Sequence, residues 1–143
     1  MYLLDTDTLI YSLKGEPAVE KNLRDHFHHP LKMSVITLME LYYGAHKSQK
    51  IASNLAKIKT LELSFEIIPI SEESAEIFGV IKAELEKAGL SLDDFDLIIA
   101  SCALSKNLVL VTNNVRHFQR IEGLKLTNWT EYPPKNHKRS FKS

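Results

Sequence analysis

Three aspartates fall within four positions of LDDFDLIIASCAL, residues 92–104, and an uninterrupted apolar run follows them. Asp93 and Asp94 suit the start of a helix, where carboxylates accept backbone N–H bonds and complement the helix dipole. Asp96 fits that role less well. On a helix it shares a face with Ile99, Ala100 and Ala103, because residues three and four apart are neighbours. The small alanines let that face approach a sheet closely, which draws Asp96 toward the edge of the core. Glu40 is a second such acid, the only charged side chain between Met33 and Ala45. A carboxylate buried without a partner is costly, so Glu40 emerges at a gap, pairs with a distant lysine, or shares a site. Asp5 ends the apolar opening YLLD. Asp7 reads as the better cap for the helix that follows, which leaves Asp5 for another task. Asn114 follows the run LVLVT, with helix capping as its ordinary alternative.

These are three carboxylates and an amide from four separate segments. If they meet, their mutual repulsion calls for a cation. Oxygen ligands with no His or Cys companions suit Mg²⁺ or Mn²⁺. Magnesium keeps several waters and commonly works on phosphates. Such a metal polarises a phosphoryl oxygen and lowers the pKa of a bound water for in-line attack. The chemistry these residue types point to is therefore phosphate-ester hydrolysis.

Whether they meet depends on the elements that carry them. YLLD (2–5) reads as a short buried strand. A helix starts near Thr6 or Asp7 and stops at Gly15, and Pro17 opens the next, to about Phe27. KMSVI (32–36) is a second strand, continued by a helix over TLMELYYGA (37–45). Ser48 caps another helix, in which Ile51, Leu55, Ile58 and Leu61 recur at helical spacing. FEIIPI (65–70) is a third strand. Ser71 caps a helix with Ile77, Ile81 and Leu85 on one face and Gly89 past its end. A helix over about 94–106, the strand LVLVT (108–112), a helical turn at NVRHF and a last strand at Lys125–Thr127 follow. Alternating helices and continuously apolar strands predict an α/β fold with a parallel sheet of four to five strands, covered on both faces. In such sheets, sites form where strand C-terminal ends meet helix N-termini.

The chain has 143 residues, enough for one domain with a real core. The domain is expected over residues 1–132, followed by a basic, mobile tail over 133–143. Formal charge is zero, but KNHKRSFKS (135–143) holds four Lys/Arg and no acid, so residues 1–134 carry 14 basic and 18 acidic groups. An acidic body argues against a protein that coats DNA through a basic field. Tyr2-Leu3-Leu4 is too short for a signal peptide. No apolar run approaches the roughly 20 residues of a membrane helix. The single cysteine, Cys102, excludes an internal disulfide and reads as a small core residue. These features predict a cytoplasmic protein with no membrane contact.

The order LLDTDTLIYSL, SVITLMELYYGA, DFDLIIASCAL, LVLVTNNVRHF and a closing TNW resembles the PIN-domain ribonucleases, and more narrowly the VapC-type toxins of toxin–antitoxin pairs. The resemblance spans residues 1 to about 129. It implies a three-layer α/β/α fold and Mg²⁺- or Mn²⁺-dependent endonuclease action on structured RNA such as tRNA or ribosomal RNA loops. By the same match Asp5, Glu40 and Asp96 bind metal and position the attacking water. The fourth position, often Asp in the family, is Asn114 here, and the loss of charge weakens a second metal site. The family usually has Asn where this chain has Asp7, which either tunes metal affinity or caps the helix. Thr112 and Thr6 are supporting neighbours. His117 and Arg116 stand beside Asn114 and are candidates to touch phosphate.

The implied partners are a cognate antitoxin whose segment enters the active-site groove, a second copy in a homodimer, and operator DNA reached only through the antitoxin. Two other readings remain open. LLDTDTL also matches the strand-end DxDxT signature of haloacid dehalogenase-type phosphatases, with Asp5 as nucleophile and Asp7 as general acid. The chain could also be a non-catalytic RNA-binding module whose acids are vestigial.

Overall fold

The computed structural model describes residues 1–138. Its strands are short, the parallel ones mostly apolar, and each parallel one but the last runs within a few residues into a helix start. β1 (Tyr2–Leu4) ends at Asp5, which caps α1 (Thr6–Leu13). After α2 (Pro17–His26), β2 (Leu31–Ser34) ends on Ser34, whose hydroxyl accepts the Ile36 N–H at 3.1 Å and starts α3 (Val35–Lys47). α4 (Ile51–Ser64), β3 (Glu66–Ile68), α5 (Glu72–Lys87) and α6 (Asp94–Ser105) follow. The chain closes with β4 (Val109–Val111), the short α7 (Val115–Phe118), β5 (Lys125–Thr127) and β6 (Asn136–Lys138).

The strands lie in the order β3-β2-β1-β4-β5-β6. The first five are parallel, and β6 adds to β5 antiparallel. From β1 the chain steps outward through β2 to β3, then crosses back to place β4 on the other side of β1. The direction of winding therefore reverses between β1 and β4. That reversal opens a crevice at the carboxyl ends of the two strands.

Successive side chains of a strand point to opposite faces, so the sheet feeds two cores. Leu3, Leu110 and Leu126 meet Ile81 and Leu85 of α5, Leu97 and Ile99 of α6, and Phe118 of α7. Leu4, Met33 and Val111 meet Leu9 of α1, Leu41 and Ala45 of α3, Ile58 of α4, and Trp129. This is the expected three-layer arrangement. Ala100 and Ala103 are fully buried against the sheet, and Cys102 is a buried free thiol in the same core.

Several local expectations need correction. β2 stops at Ser34 and not at residue 36, because capping by Ser34 draws Val35 and Ile36 into α3. β3 covers three residues of the six expected, since Pro69 has no N–H to continue the ladder. Ser48 does not cap α4. It ends α3, donating to the Ala45 carbonyl at 2.6 Å and accepting from Asn54 at 2.8 Å. Asp94 is not a cap either: it begins α6 and pairs with Lys82 of α5 at 2.9 Å, while Asp93 accepts the Phe95 N–H. The basic tail drawn from residue 133 includes β6 at 136–138, so that stretch belongs to the sheet edge. Residues 139–143 lie outside the described residues.

Candidate active site

Asp5 stands at the carboxyl end of β1, beside β4, where the winding reverses. Its backbone N–H donates to the Val111 carbonyl at 3.0 Å, which pins the residue to β4. Only 5 % of it is exposed. One carboxylate oxygen accepts the Thr8 N–H at 3.1 Å and so caps α1, a task the sequence reading had given to Asp7. The other accepts the Thr112 hydroxyl at 2.5 Å. Burial nevertheless dominates, pushing Asp5 up from the usual carboxylate range to about 7. The two hydrogen bonds oppose that rise and the charge of Asp7 adds to it.

Thr112 does two jobs. While donating to Asp5 it accepts the Asn114 N–H at 2.9 Å, which turns the chain after β4 so that Asn114 faces the crevice. Asn114 occupies the N-cap position of α7 but makes no capping bond. Its side-chain oxygen meets a ring nitrogen of His117 instead. Glu40 lies in the second turn of α3, half-buried, and accepts the Thr6 hydroxyl at 2.5 Å. Thr37, fully buried one turn earlier, stands 3.2 Å from the same hydroxyl and closes it in.

Asp96 sits in the first turn of α6, half-buried, with Ile99 and Ala100 below it. Its carboxyl is raised to about 6, first by burial and then by the charges of Asp93, Glu40 and Asp7, with His117 pulling the other way. Asp5, Thr6, Asp7, Glu40, Asp96 and Asn114 line a single cleft of about 100 Å³, floored by Ile99. The structure thus brings together every candidate acid, Thr6 and Asn114; Thr112 acts through Asp5 and Asn114, and His117 touches Asn114 without lining the cleft. Arg116 is exposed and does not line the cleft. Thr8 and Thr37 also support the site and are not among the residues expected from the sequence. Thr8 had a signal, its place three residues after Asp5, which is capping spacing. Thr37 had none, because its role depends on α1 and α3 packing side by side.

Among the described residues none of these four carboxylates is in an ion pair; the pairs present are Lys32–Glu66, Lys59–Glu62 and Lys82–Asp94. The fold therefore assembles like charge without neutralising it. Among the described residues no three His, Cys, Asp or Glu side chains form a ready-made metal cluster. That still fits Mg²⁺ or Mn²⁺, since magnesium keeps several waters and takes one or two carboxylates directly, so that a further acid reaches it through its waters.

The α/β sheet and its winding order agree with the comparisons. The PIN domain family matches residues 2–124. The tRNA(fMet)-specific endonuclease VapC of Shigella flexneri is 37% identical over 132 residues, covering 90% of this chain and 98% of its own. The structure of VapBC2 from Rickettsia felis, bound to a DNA fragment from their promoter, superposes with a TM-score of 0.85 at 37% identity, covering 90% and 98% of the two chains. DNA-bound VapBC from Salmonella typhimurium gives 0.84 at 36%, covering 90% and 97%. The chain belongs to the PIN-domain family and, within it, to the VapC ribonucleases.

A first prediction concerns Thr112. Replacing it with Val removes the hydroxyl that holds the Asp5 carboxylate, so Asp5 takes up a proton more readily. RNA cleavage by Thr112→Val should then lose its acidic limb at a pH higher by roughly one unit, the worth of a hydrogen bond to a charged group. A pH–rate profile superimposable on that of the parent would show that Thr112 does not tune Asp5.

Proposed function

We propose that this protein is an endoribonuclease toxin, hydrolysing phosphodiester bonds of structured RNA with Mg²⁺ or Mn²⁺ held by Asp5, Glu40 and Asp96. The observation that carries the reading is the cleft at the β1–β4 switch point, where four carboxylates gather with no basic partner among the described residues, in a chain of the VapC family. A bound divalent ion would supply charge neutralisation at the phosphate and an acidified water. The protein's own groups set the stage for that chemistry. Thr112 and Thr8 fix the Asp5 carboxylate, Thr6 fixes that of Glu40, and Ile99 keeps the floor of the cleft apolar. Asn114 offers an uncharged amide to the same cleft.

Its partners follow from the same surface. Beside Glu40 a groove of about 300 Å³ runs between α1, α3 and α4, lined by Ile10, Leu13, Leu41, Ala45 and Ile58. An apolar antitoxin segment seated there reaches the acids and closes the cleft to RNA. One related complex was solved on a promoter DNA fragment and another bound to DNA, and operator binding by this protein is assigned to the antitoxin, with two toxin copies forming a homodimer. Among the described residues no helix is long and apolar enough to cross a membrane.

The phosphatase alternative gives Glu40 no task and places its second acid pair after a strand, whereas here Glu40 lines the cleft with Asp5, and Asp96 lies in the first turn of α6. A vestigial binding module gives no reason for holding unneutralised carboxylates at this edge, since like charges there only weaken the fold.

The test is to incubate the purified protein, free of antitoxin, with bacterial RNA in Mg²⁺ or Mn²⁺ and again in EDTA, then map new RNA ends. Discrete ends that vanish in EDTA are expected. Ends that persist unchanged in EDTA would remove the metal from the account.

Stability gives a second check. A carboxyl raised from its ordinary value binds its proton more tightly in the folded protein. That contribution is complete below about pH 4 and is lost as pH climbs through about 6 for Asp96 and about 7 for Asp5. The metal-free protein should therefore lose melting temperature between pH 5 and 8. Added Mn²⁺ should restore it at pH 8 and do little at pH 5, where protons hold the site. Equal Mn²⁺ effects at both pH values would contradict the assignment.

A further inference from the structure

We propose that Asp7 is a further cation-holding carboxylate of this cleft, supplying the negative charge that the neutral Asn114 does not. The inference rests on the metal-dependent reading above and adds to it a residue with no other explanation. Two roles were open to Asp7: helix cap or site residue. The structure removes the first, because the cap of α1 is Asp5, which accepts the Thr8 N–H. Asp7 makes no hydrogen bond or ion pair among the described residues, and it lines the same cleft as Asp5, Glu40, Asp96 and Asn114.

Its placement is also costly. It is exposed at the rim, and it lines the same small cleft as Asp5 and Asp96, so its charge lies close to theirs. A carboxylate at the first turn of α1 gains a little from the helix dipole, but any position on that turn would give the same gain without adding repulsion to two half-buried or buried acids. A hydrated divalent ion reverses the sign of every one of these terms. Because Mg²⁺ and Mn²⁺ retain waters, Asp7 at the rim is suited to accept hydrogen bonds from metal-bound water, while the deeper acids hold the ion itself. Partners of that kind are typically worth about 10- to 100-fold in metal affinity.

The test is calorimetric titration of the full chain with Mn²⁺ alone, at pH 8 and without RNA. Four variants are compared: Asp7→Asn, Asp7→Glu, Asp96→Asn and Asp94→Asn, the last a carboxylate of the neighbouring helix start that is paired with Lys82. Asp7→Asn should weaken Mn²⁺ binding about tenfold, Asp7→Glu should recover most of it, and Asp94→Asn should bind as the parent does. The metal-free Asp7→Asn protein should melt at the same temperature as the parent or slightly higher, because repulsion is relieved; a residue serving only the helix would lower it. Parent-like Mn²⁺ affinity in Asp7→Asn, alongside loss in Asp96→Asn, would overturn the role of Asp7 and leave the site intact. Undiminished affinity in Asp96→Asn would overturn the metal site itself.

Discussion

Asp96→Asn should abolish RNA cleavage, by about a thousandfold or more, in a protein that is folded and slightly more stable than its parent. The loss follows from chemistry: if Asp96 helps hold the ion, its amide removes several kcal/mol of transition-state stabilisation, at about 1.4 kcal/mol per tenfold. The gain follows from position. Asp96 is half-buried over Ile99 and Ala100 and faces the charges of Asp93, Glu40 and Asp7. The neutral, nearly isosteric amide escapes that repulsion. Because the group is partly exposed, solvent screening limits the benefit to about 1 kcal/mol, or roughly 3 °C in melting temperature. The gain should appear at pH 8 without metal and shrink at pH 5, where the parent Asp96 is already protonated. Parallel measurement of melting temperature and of cleavage with Mg²⁺ checks both halves. An active Asp96→Asn protein would exclude Asp96 from the chemistry, and an inactive but destabilised one would point to a structural role.

Asn22→Leu should cost about 3 kcal/mol of stability while leaving cleavage below the melting transition within about twofold. Asn22 is fully buried in α2, and its amide nitrogen donates to two carbonyls of one passing segment, Trp129 at 3.0 Å and Glu131 at 2.8 Å. That segment joins β5 to β6. It also carries Trp129, fully buried, stacked on His26 at 4.7 Å and tilted against Tyr2 at 5.2 Å. Leucine fills the same volume but donates nothing, so both carbonyls lose their partner. A buried acceptor left unpaired costs about 1–3 kcal/mol. The expected fall in melting temperature is about 10 °C. The cleft lies at the carboxyl end of β1 and Tyr2 at its start, which is why activity should survive. A drop in cleavage at low temperature comparable to that of Asp96→Asn would mean that the segment after β5 reaches the active site.

The residues explain how far the sequence could be read. Strands such as LVLVT and YLLD are legible because both faces are buried and nothing polar interrupts them. Alternation of such runs with helices then leaves few topologies. Asp96 and Glu40 stood out because each is the lone charge in an apolar stretch, a local property. Asp5 is visible as the acid that ends an apolar strand, but the expectation that it is free of capping fails, because it caps α1 with one oxygen and meets Thr112 with the other. A carboxylate has two oxygens, and which contacts each one makes is decided by tertiary packing. The same limit hid Thr37, whose hydroxyl matters only because α1 lies against α3. β6 was passed over because NHK has little strand character; it forms on the template of β5, whose edge would otherwise be unpaired. Ser48 and Asp94 show the remaining ambiguity, since a polar residue near a helix end can serve the helix before it, the helix after it, or a neighbour.

The central claim is that Asp5, Glu40 and Asp96 converge to hold a divalent ion at the β1–β4 switch point. Its most direct test is anomalous diffraction from crystals of the antitoxin-free protein soaked in Mn²⁺ near pH 8. The account predicts one strong anomalous peak in the cleft, bonded to carboxylate oxygens from at least two of the three residues. A well-diffracting crystal with Mn²⁺ bound elsewhere and that cleft empty would contradict it.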